Sequence, residues 1–290
     1  MSDLSRAITL MISGMLAFSI GDLFLKLSTQ SLPVGQVMIV LGVGTGCIFA
    51  VMLRRQNRPI FSPDARHPIV IMRCVGEAVG AIGMFVALTY MPLSTVAALA
   101  QALPLLLTLM AALFLGERLR IRRMIAICIG FIGVLIIIRP GLEGFSHFSW
   151  FAIIGMVGMA VRDLGSRMAP PHLHTLSMSF YASVAMALTG VGMLLISGGA
   201  NIPDQHTLFY LLAMVGAAAM GILCVTNAMR AGDVAVTSLF RYTRLIFASL
   251  AGILVLQESL DGPTILGSIF IVGAGLYSWL RERRLARTQP

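Results

Sequence analysis

Charge is scarce in this chain. Only 11% of its 290 residues are Asp, Glu, Lys or Arg, against about 25% in soluble domains. So few charges cannot cover the surface of a water-soluble fold. Lysine is nearly absent: Lys26 is the single one, and arginine supplies the rest of the positive charge. Cysteine is also sparse. Cys47, Cys74, Cys128 and Cys224 lie scattered inside apolar runs without ligand spacing, so they read as small hydrophobes rather than disulfides or a metal site. The chain has no Gly-x-Ser-x-Gly, no His-Glu-x-x-His and no paired histidines within its apolar runs. An intramembrane enzyme would need such a motif, so neither an enzyme nor a cofactor is expected. No nucleotide-binding loop is present, which excludes direct use of ATP by this chain.

Apolar sequence is what the chain has in abundance, 58% of residues with a mean hydropathy of +0.91. Ten candidate spans run over about 7–27, 34–53, 68–90, 94–115, 121–138, 149–168, 174–197, 207–229, 234–256 and 263–280. Each is near the roughly 20 residues that a helix needs to cross a bilayer. The runs are continuous rather than alternating, which argues against a β-barrel. The expected fold is an all-α integral membrane protein. Connections are short, the longest running from Gln56 to His67, so no soluble domain is expected. The first run is too long for a signal peptide and lacks a cleavage site, so it reads as a span.

The net charge of +9 suggests a nucleic-acid partner only until its distribution is read. With the N-terminus inside, the inner loops and tails hold Arg6, Arg54, Arg55, Arg58, Arg66, Arg118, Arg120, Arg122, Arg123, Arg162, Arg167, Arg230 and the arginines from Arg281 to Arg287. The outer side holds only Lys26 and Arg139, while Arg73, Arg241 and Arg244 fall within spans. This asymmetry orients a multi-pass protein in the cell's inner membrane with both termini cytoplasmic. The expected partners are the lipid bilayer and a small-molecule substrate, with no nucleic acid. Small-residue surfaces allow a homodimer without requiring one.

The chain repeats itself. Asp22 and Lys26 recur as Asp163 and Arg167, and Glu117 recurs as Glu258, each 141 positions later. With five spans per unit the second copy is inverted, giving ten transmembrane helices in two inverted five-helix repeats, residues 1–140 and 141–290. Inverted repeats are an architecture of alternating-access transporters.

Specific residues carry a family resemblance. Pro92-Leu93-Ser94-Thr95-Val96-Ala97-Ala98-Leu99, then Pro104, Leu115-Gly116-Glu117-Arg118 and Gly130-Phe131-Ile132-Gly133-Val134 resemble the EamA-type domain of the drug/metabolite transporter (DMT) superfamily. The second half offers a weaker copy, from Ser238 to Arg244 and then Gln257-Glu258, with Gln257 in place of Gly116 and Leu245 in place of Pro104. The resemblance covers nearly the whole chain. It implies ten helices around a central cavity and a cargo among amino acids, vitamins, nucleotide-like metabolites or drugs.

Ionised groups inside a bilayer cost about 2.5–3.5 kcal/mol each on insertion scales, so each needs a partner or a use. Asp22 lies toward the outer end of its span and Asp163 toward the inner end of its own. The i, i+4 spacing lets each acid meet a base on one helix face. Alternating gates are the expected role: Asp22, Lys26 and Glu258 outside, Asp163, Arg167 and Glu117 inside. The alternative is plain charge neutralisation near helix ends.

At mid-span lie Arg73, Glu77, Arg241, Tyr242 and Arg244, with Gln101 and Asn227 as further substrate contacts. Three positive charges against one negative would draw an anionic or zwitterionic solute, and the guanidinium fork suits a carboxylate or phosphate. A Glu77–Arg244 structural pair is the competing reading. The lead substrate is an amino acid or related carboxylate. The alternative is a ring-bearing metabolite, a riboflavin-like vitamin or S-adenosylmethionine, which the family resemblance implies. A channel is the alternative class, although no repeated filter-like loop appears.

The 19 methionines spread through every span and read as core filling. His172 and His174 form an H-x-H with no further ligands clustered nearby. Glu77, Asp22 or Asp163 could carry a coupling proton, and a facilitator or exchanger is equally allowed.

Overall fold

The computed structural model describes residues 3–116, 121–141, 146–170, 172–231 and 238–288. Among them every regular element is helical. Helix α1 spans Asp3–Ser28, α2 Val34–Arg55, α3 Pro68–Tyr90, α4 Leu93–Ala100, α5 Leu103–Leu115 and α6 Ile121–Ile138. Then follow α7 (Ser149–Met168), α8 (Thr175–Ile196), α9 (Gln205–Ala231), α10 (Thr243–Leu254) and α11 (Gly262–Thr288). Short 3-10 turns occupy Pro63–Arg66 and Ser238–Tyr242.

Among the described residues six stretches are long and apolar enough to cross a membrane: Ser5–Ser28, Val34–Arg55, Pro68–Tyr90, Leu93–Leu115, Thr175–Ile196 and Gln205–Val225. Met124–Ile138 and Gly262–Ser278 are shorter apolar helices. Large apolar side chains point outward along these helices, among them Val43, Val75, Leu135 and Ile269. An outward apolar surface of that extent suits acyl chains rather than water.

One expected span is interrupted. The run over 94–115 forms two helices, α4 and α5, with the break at Gln101–Ala102. Pro104 explains it, because its ring would clash with the carbonyl four residues earlier and it has no N–H to donate. The expected span 234–256 is described only from residue 238 onward. There a 3-10 turn to Tyr242 leads into α10, which starts at Thr243.

The helices gather into two compact units, and each draws on both halves of the chain. The first holds Met1–Leu23, Met91–Ser149 and Met220–Pro290. Within it α6 packs on α11 and α10 packs on α4. The α6–α11 seam is backbone-close, since a Cβ on Gly133 would stand 2.7 Å from the Gly267 carbonyl oxygen. Met11, Met15 and Ala228 form a buried cluster with Phe18, Val225, Phe240 and Phe247 packed against it.

The second unit holds Phe24–Tyr90 and Trp150–Ala219. Its α2 and α8 meet through Gly35, Gly42 and Gly190. A Cβ on Gly42 would lie 2.7 Å from the Ala187 nitrogen, and Thr45 donates to the Ser183 hydroxyl at 3.1 Å. Helices α3 and α7 touch through Gly76, Gly80 and Gly83 on one side and Gly155 and Gly158 on the other. Lipid gives no hydrophobic drive for helix association, so close backbone approach and interhelical hydrogen bonds must supply it.

Two of the helix starts in the connections are capped. The Asp261 carboxylate accepts the Thr264 amide at 3.1 Å at the head of α11. The Asp204 carboxylate accepts the Thr207 amide at 3.0 Å at the head of α9. Hydrogen bonds from Thr207 hold the Asp204 carboxyl below its ordinary range.

Candidate functional site

In the first unit, Asp22 on α1 meets Arg244 at the start of α10. The guanidinium approaches Asp22 Oδ2 through Nη2 at 2.6 Å and Nε at 3.2 Å. The same guanidinium lies over the Phe18 ring, 5.6 Å from its centroid. Ser19, one turn before Phe18's far neighbour Asp22, donates to the Arg244 carbonyl at 3.2 Å. Helix α1 thus holds both the backbone and the side chain of Arg244. Both side chains of the pair are about four-fifths buried, with 21% of Arg244 and 17% of Asp22 exposed.

The second unit carries a separate cluster on α3, α7 and α8. Arg162 donates through Nε to Asp163 at 2.9 Å and reaches Glu77 through Nη1 at 3.5 Å. One turn along α3 from Glu77, Arg73 donates to the hydroxyls of Ser166 and, at 3.4 Å, Ser179. The Ser166 hydroxyl in turn donates to the Arg162 carbonyl at 2.9 Å. The glycine seam makes this cluster possible, because Gly76 lies against the Arg162 backbone, 2.5 Å from where its Cβ would be.

These contacts add partners that the sequence reading does not contain. Helix-face spacing points to Lys26 for Asp22 and Arg167 for Asp163, and the structure adds the guanidiniums of Arg244 and Arg162 on the two carboxylates. Arg162, counted as a loop charge, is instead the centre of a cluster. Glu77 engages Arg162 within one unit, and Arg244 engages Asp22 within the other. The midplane count of three positive charges against one negative therefore changes. Arg73 and Arg162 stand with Glu77 and Asp163, while Arg244 stands with Asp22.

Glu258 has a definite structural role. Its carboxylate accepts the amides of Leu93 at 2.7 Å and Ser94 at 3.2 Å, and the Ser94 hydroxyl at 3.2 Å. Those groups head α4, where Pro92 at the cap has no side chain to offer them. The acceptor is thus supplied from 165 positions away. Glu258→Ala should cost about 2 kcal/mol of stability, because a charged cap is removed from amides inside an apolar unit. Glu258→Gln should keep part of it. Thermal unfolding of the purified variants checks this, and an alanine variant as stable as wild type would discard the capping role.

Next to it, Gln257 has φ of 54°, and Gly116, 141 positions earlier, has φ of 67°. Both occupy the left-handed region that glycine enters freely and other residues enter at a cost. Gly116 closes α5 in this way. The structural demand is therefore the same at both positions, although the residue differs.

The other expected site residues are dispersed. Gln101 is buried at the α4–α5 break. Tyr242 ends the 3-10 turn before α10 and its ring lies against Gly275 of α11. Arg241 precedes it and is half-buried. The Asn227 amide donates to its own helix at the Leu223 carbonyl, 2.9 Å, and is exposed. Lys26 is half-buried and Arg167 exposed. Glu117 lies outside the described residues. All four cysteines are free thiols. His172 stands edge-on to His67 with centroids 5.9 Å apart, and no metal-type cluster occurs among the described residues.

Several of these partners carried no sequence signal. Ser19, Ser166 and Ser179 are small hydroxyls in apolar runs, indistinguishable there from helix-interface serines. Phe18 is one of 15 phenylalanines.

Comparison with known proteins fits this picture. The model of the EamA-like transporter family matches twice, over residues 5–139 and 148–279. The S-adenosylmethionine uptake transporter of Rickettsia bellii is 25% identical, over 68% of this chain and 67% of that one. The pseudopaline exporter CntI of Pseudomonas aeruginosa is 25% identical over 93% of this chain and 95% of its own. The riboflavin transporter of Brucella anthropi is 27% identical over 75% and 78% respectively. A solved crystal structure shares the fold, with a TM-score of 0.66 at 18% identity, covering 96% of this chain and 98% of its own. With both halves matched and its apolar helices long enough to cross a bilayer, this chain belongs to the EamA-like transporter family as a multi-pass membrane transporter rather than an enzyme.

Proposed function

We propose that the chain moves a small organic metabolite across the cytoplasmic membrane by alternating access, with both termini cytoplasmic. The carrying observation is the matching of helix limits between the two halves. The α4–α5 break at Gln101–Ala102 and the junction of the 3-10 turn with α10 at Tyr242–Thr243 stand 141 positions apart, as do both ends of α2 and α8. Interrupted helices at corresponding positions of inverted halves are where carriers of this kind build their sites. The two halves, residues 1–140 and 141–290, are the proposed repeats, and the bias of arginines supports the orientation.

The proposed substrate is an amino acid or a related carboxylate. Guanidinium and carboxylate groups held together inside the membrane-spanning helices, Asp22 with Arg244 and Arg162 with Glu77, are the groups that complement a zwitterion. Glu77, Arg244, Arg241, Arg73 and Tyr242 are the proposed contacts, with Gln101 and Asn227 secondary. Asp22, Lys26, Asp163 and Arg167 are the proposed gate groups, joined by Glu117 and, behind its capping role, Glu258. The ring-bearing alternative draws on the relatives that carry S-adenosylmethionine and riboflavin. S-adenosylmethionine satisfies both readings, since it ends in an α-amino carboxylate.

Proteoliposomes loaded from a pooled metabolite mixture and read by mass spectrometry test this, with wild type beside Glu77→Gln and Arg244→Gln. A carboxylate-bearing solute should accumulate in wild type and fall at least about 10-fold in both variants, the effect of losing one charged hydrogen bond. Enrichment unchanged in both would remove these residues from the site.

A further inference from the structure

Three guanidiniums with known partners sit in the membrane-spanning helices, and they are not equivalent. Arg244 and Arg162 are each bonded to a carboxylate of the chain itself. Among the described residues Arg73 is bonded only to hydroxyls, those of Ser166 and Ser179. Its Nε is buried and has no hydrogen-bond partner among the described residues. Glu77 and Asp163, the nearby acids, are instead engaged by Arg162.

An ionised guanidinium within an apolar helix bundle normally pairs with an anion. Serine hydroxyls compensate it weakly, because each offers a neutral acceptor where a carboxylate would offer a charged one. Arg73 therefore has the charge, the free donor and the exchangeable neighbours of an anion site. Its three surrounding elements, α3, α7 and α8, belong to one compact unit, so the site is built within that unit.

We infer that Arg73, Ser166 and Ser179 form the subsite for the substrate's carboxylate. A carboxylate arriving there takes two N–H donors of Arg73 in a forked pair, and Ser179 turns from acceptor to donor. Arg162 stays with its internal acids and organises the helices around it. This rests on the transport reading above and sharpens it, for it names which arginine meets the substrate and what chemical group it meets. A solute lacking an anionic group has nothing to offer this subsite.

The test uses the full chain in proteoliposomes with three labelled probes, L-methionine, S-adenosylmethionine and riboflavin. Wild type is compared with Arg73→Gln, Arg73→Lys and Ser179→Ala, each verified as monodisperse. At least one carboxylate probe should accumulate. Arg73→Gln should raise its half-saturation concentration about 30-fold, as loss of a forked charged contact does, with partial recovery in Arg73→Lys and a smaller rise in Ser179→Ala. Accumulation of riboflavin alone would overturn the subsite while leaving the transport reading intact. Unchanged half-saturation in Arg73→Gln would overturn it too. If no probe accumulates, transport of these solute classes fails as a reading. The subsite is then judged by the thermal shift of detergent-purified protein with L-methionine against L-methioninamide. A shift given by the acid, not the amide, and lost in Arg73→Gln supports it. No such shift overturns it.

Discussion

Asp22→Asn is expected to abolish transport and to cost about 3 kcal/mol of stability, the scale of stranding one member of a buried ion pair. Arg244 would keep its charge over the Phe18 ring, with its Nη2 and Nε donors facing a neutral amide. Arg244→Gln alone should be costly for the mirror-image reason. Combining the two removes both charges, so Asp22→Asn/Arg244→Gln should recover most of the stability. Transport should not return, because a gate or a contact that depends on the pair is gone. Unfolding midpoints and flux of the two single variants and the double variant read this out as a cycle. A double variant no more stable than Asp22→Asn would mean that the two residues are not one energetic unit. A double variant with normal flux would confine the pair to structure.

The other large effect is steric. Gly158→Val should yield no recoverable folded protein. A Cβ at Gly158 meets the backbone of Gly80, and one at Gly83 meets the backbone of Gly155. Backbone cannot swing aside as a flexible side chain can, so α3 and α7 would have to separate along their whole contact. Overpacking in well-filled interiors costs about 1–3 kcal/mol; here it also disperses the Arg73, Glu77 and Arg162 cluster. Gly192→Val is the control, since nothing lies within 4 Å of its would-be Cβ. Expression and monodispersity on gel filtration decide the matter. A well-behaved Gly158→Val protein would show the seam to be looser than described.

How much of this was legible beforehand depends on the interaction involved. The helix limits were readable where an apolar run stops at charge or proline. Span 34–53 appears as Val34–Arg55 after Pro33, and span 68–90 as Pro68–Tyr90. Hydropathy has no way to register a missing N–H, so the break beside Pro104 was invisible although the proline was in plain sight. Arg162 counts among the inner arginines although it lies inside the candidate span 149–168. Its pairing depends on how closely Gly76 lets α7 approach. Asp22 and Arg244 are 222 positions apart, and no local pattern links them. What the sequence could say was that these charges needed partners. Which partner each one took was decided by tertiary packing. Glu258 illustrates the limit in another way. Its recurrence with Glu117 signalled importance, while its function as a remote cap depends on Pro92 having nothing to give.

The interleaving of the two compact units sets an order of assembly as the chain leaves the ribosome. All segments of the unit made of Phe24–Tyr90 and Trp150–Ala219 are in hand once residue 219 has been synthesised. The other unit must wait for the last quarter of the protein, because α10 and α11 belong to it. Until Glu258 emerges, the amides of Leu93 and Ser94 have no carboxylate to receive them, though they were made long before. A stalled or prematurely terminated product would therefore present one finished half and one with an unsatisfied helix start in the bilayer. That is the sort of defect that membrane quality-control proteases are placed to recognise.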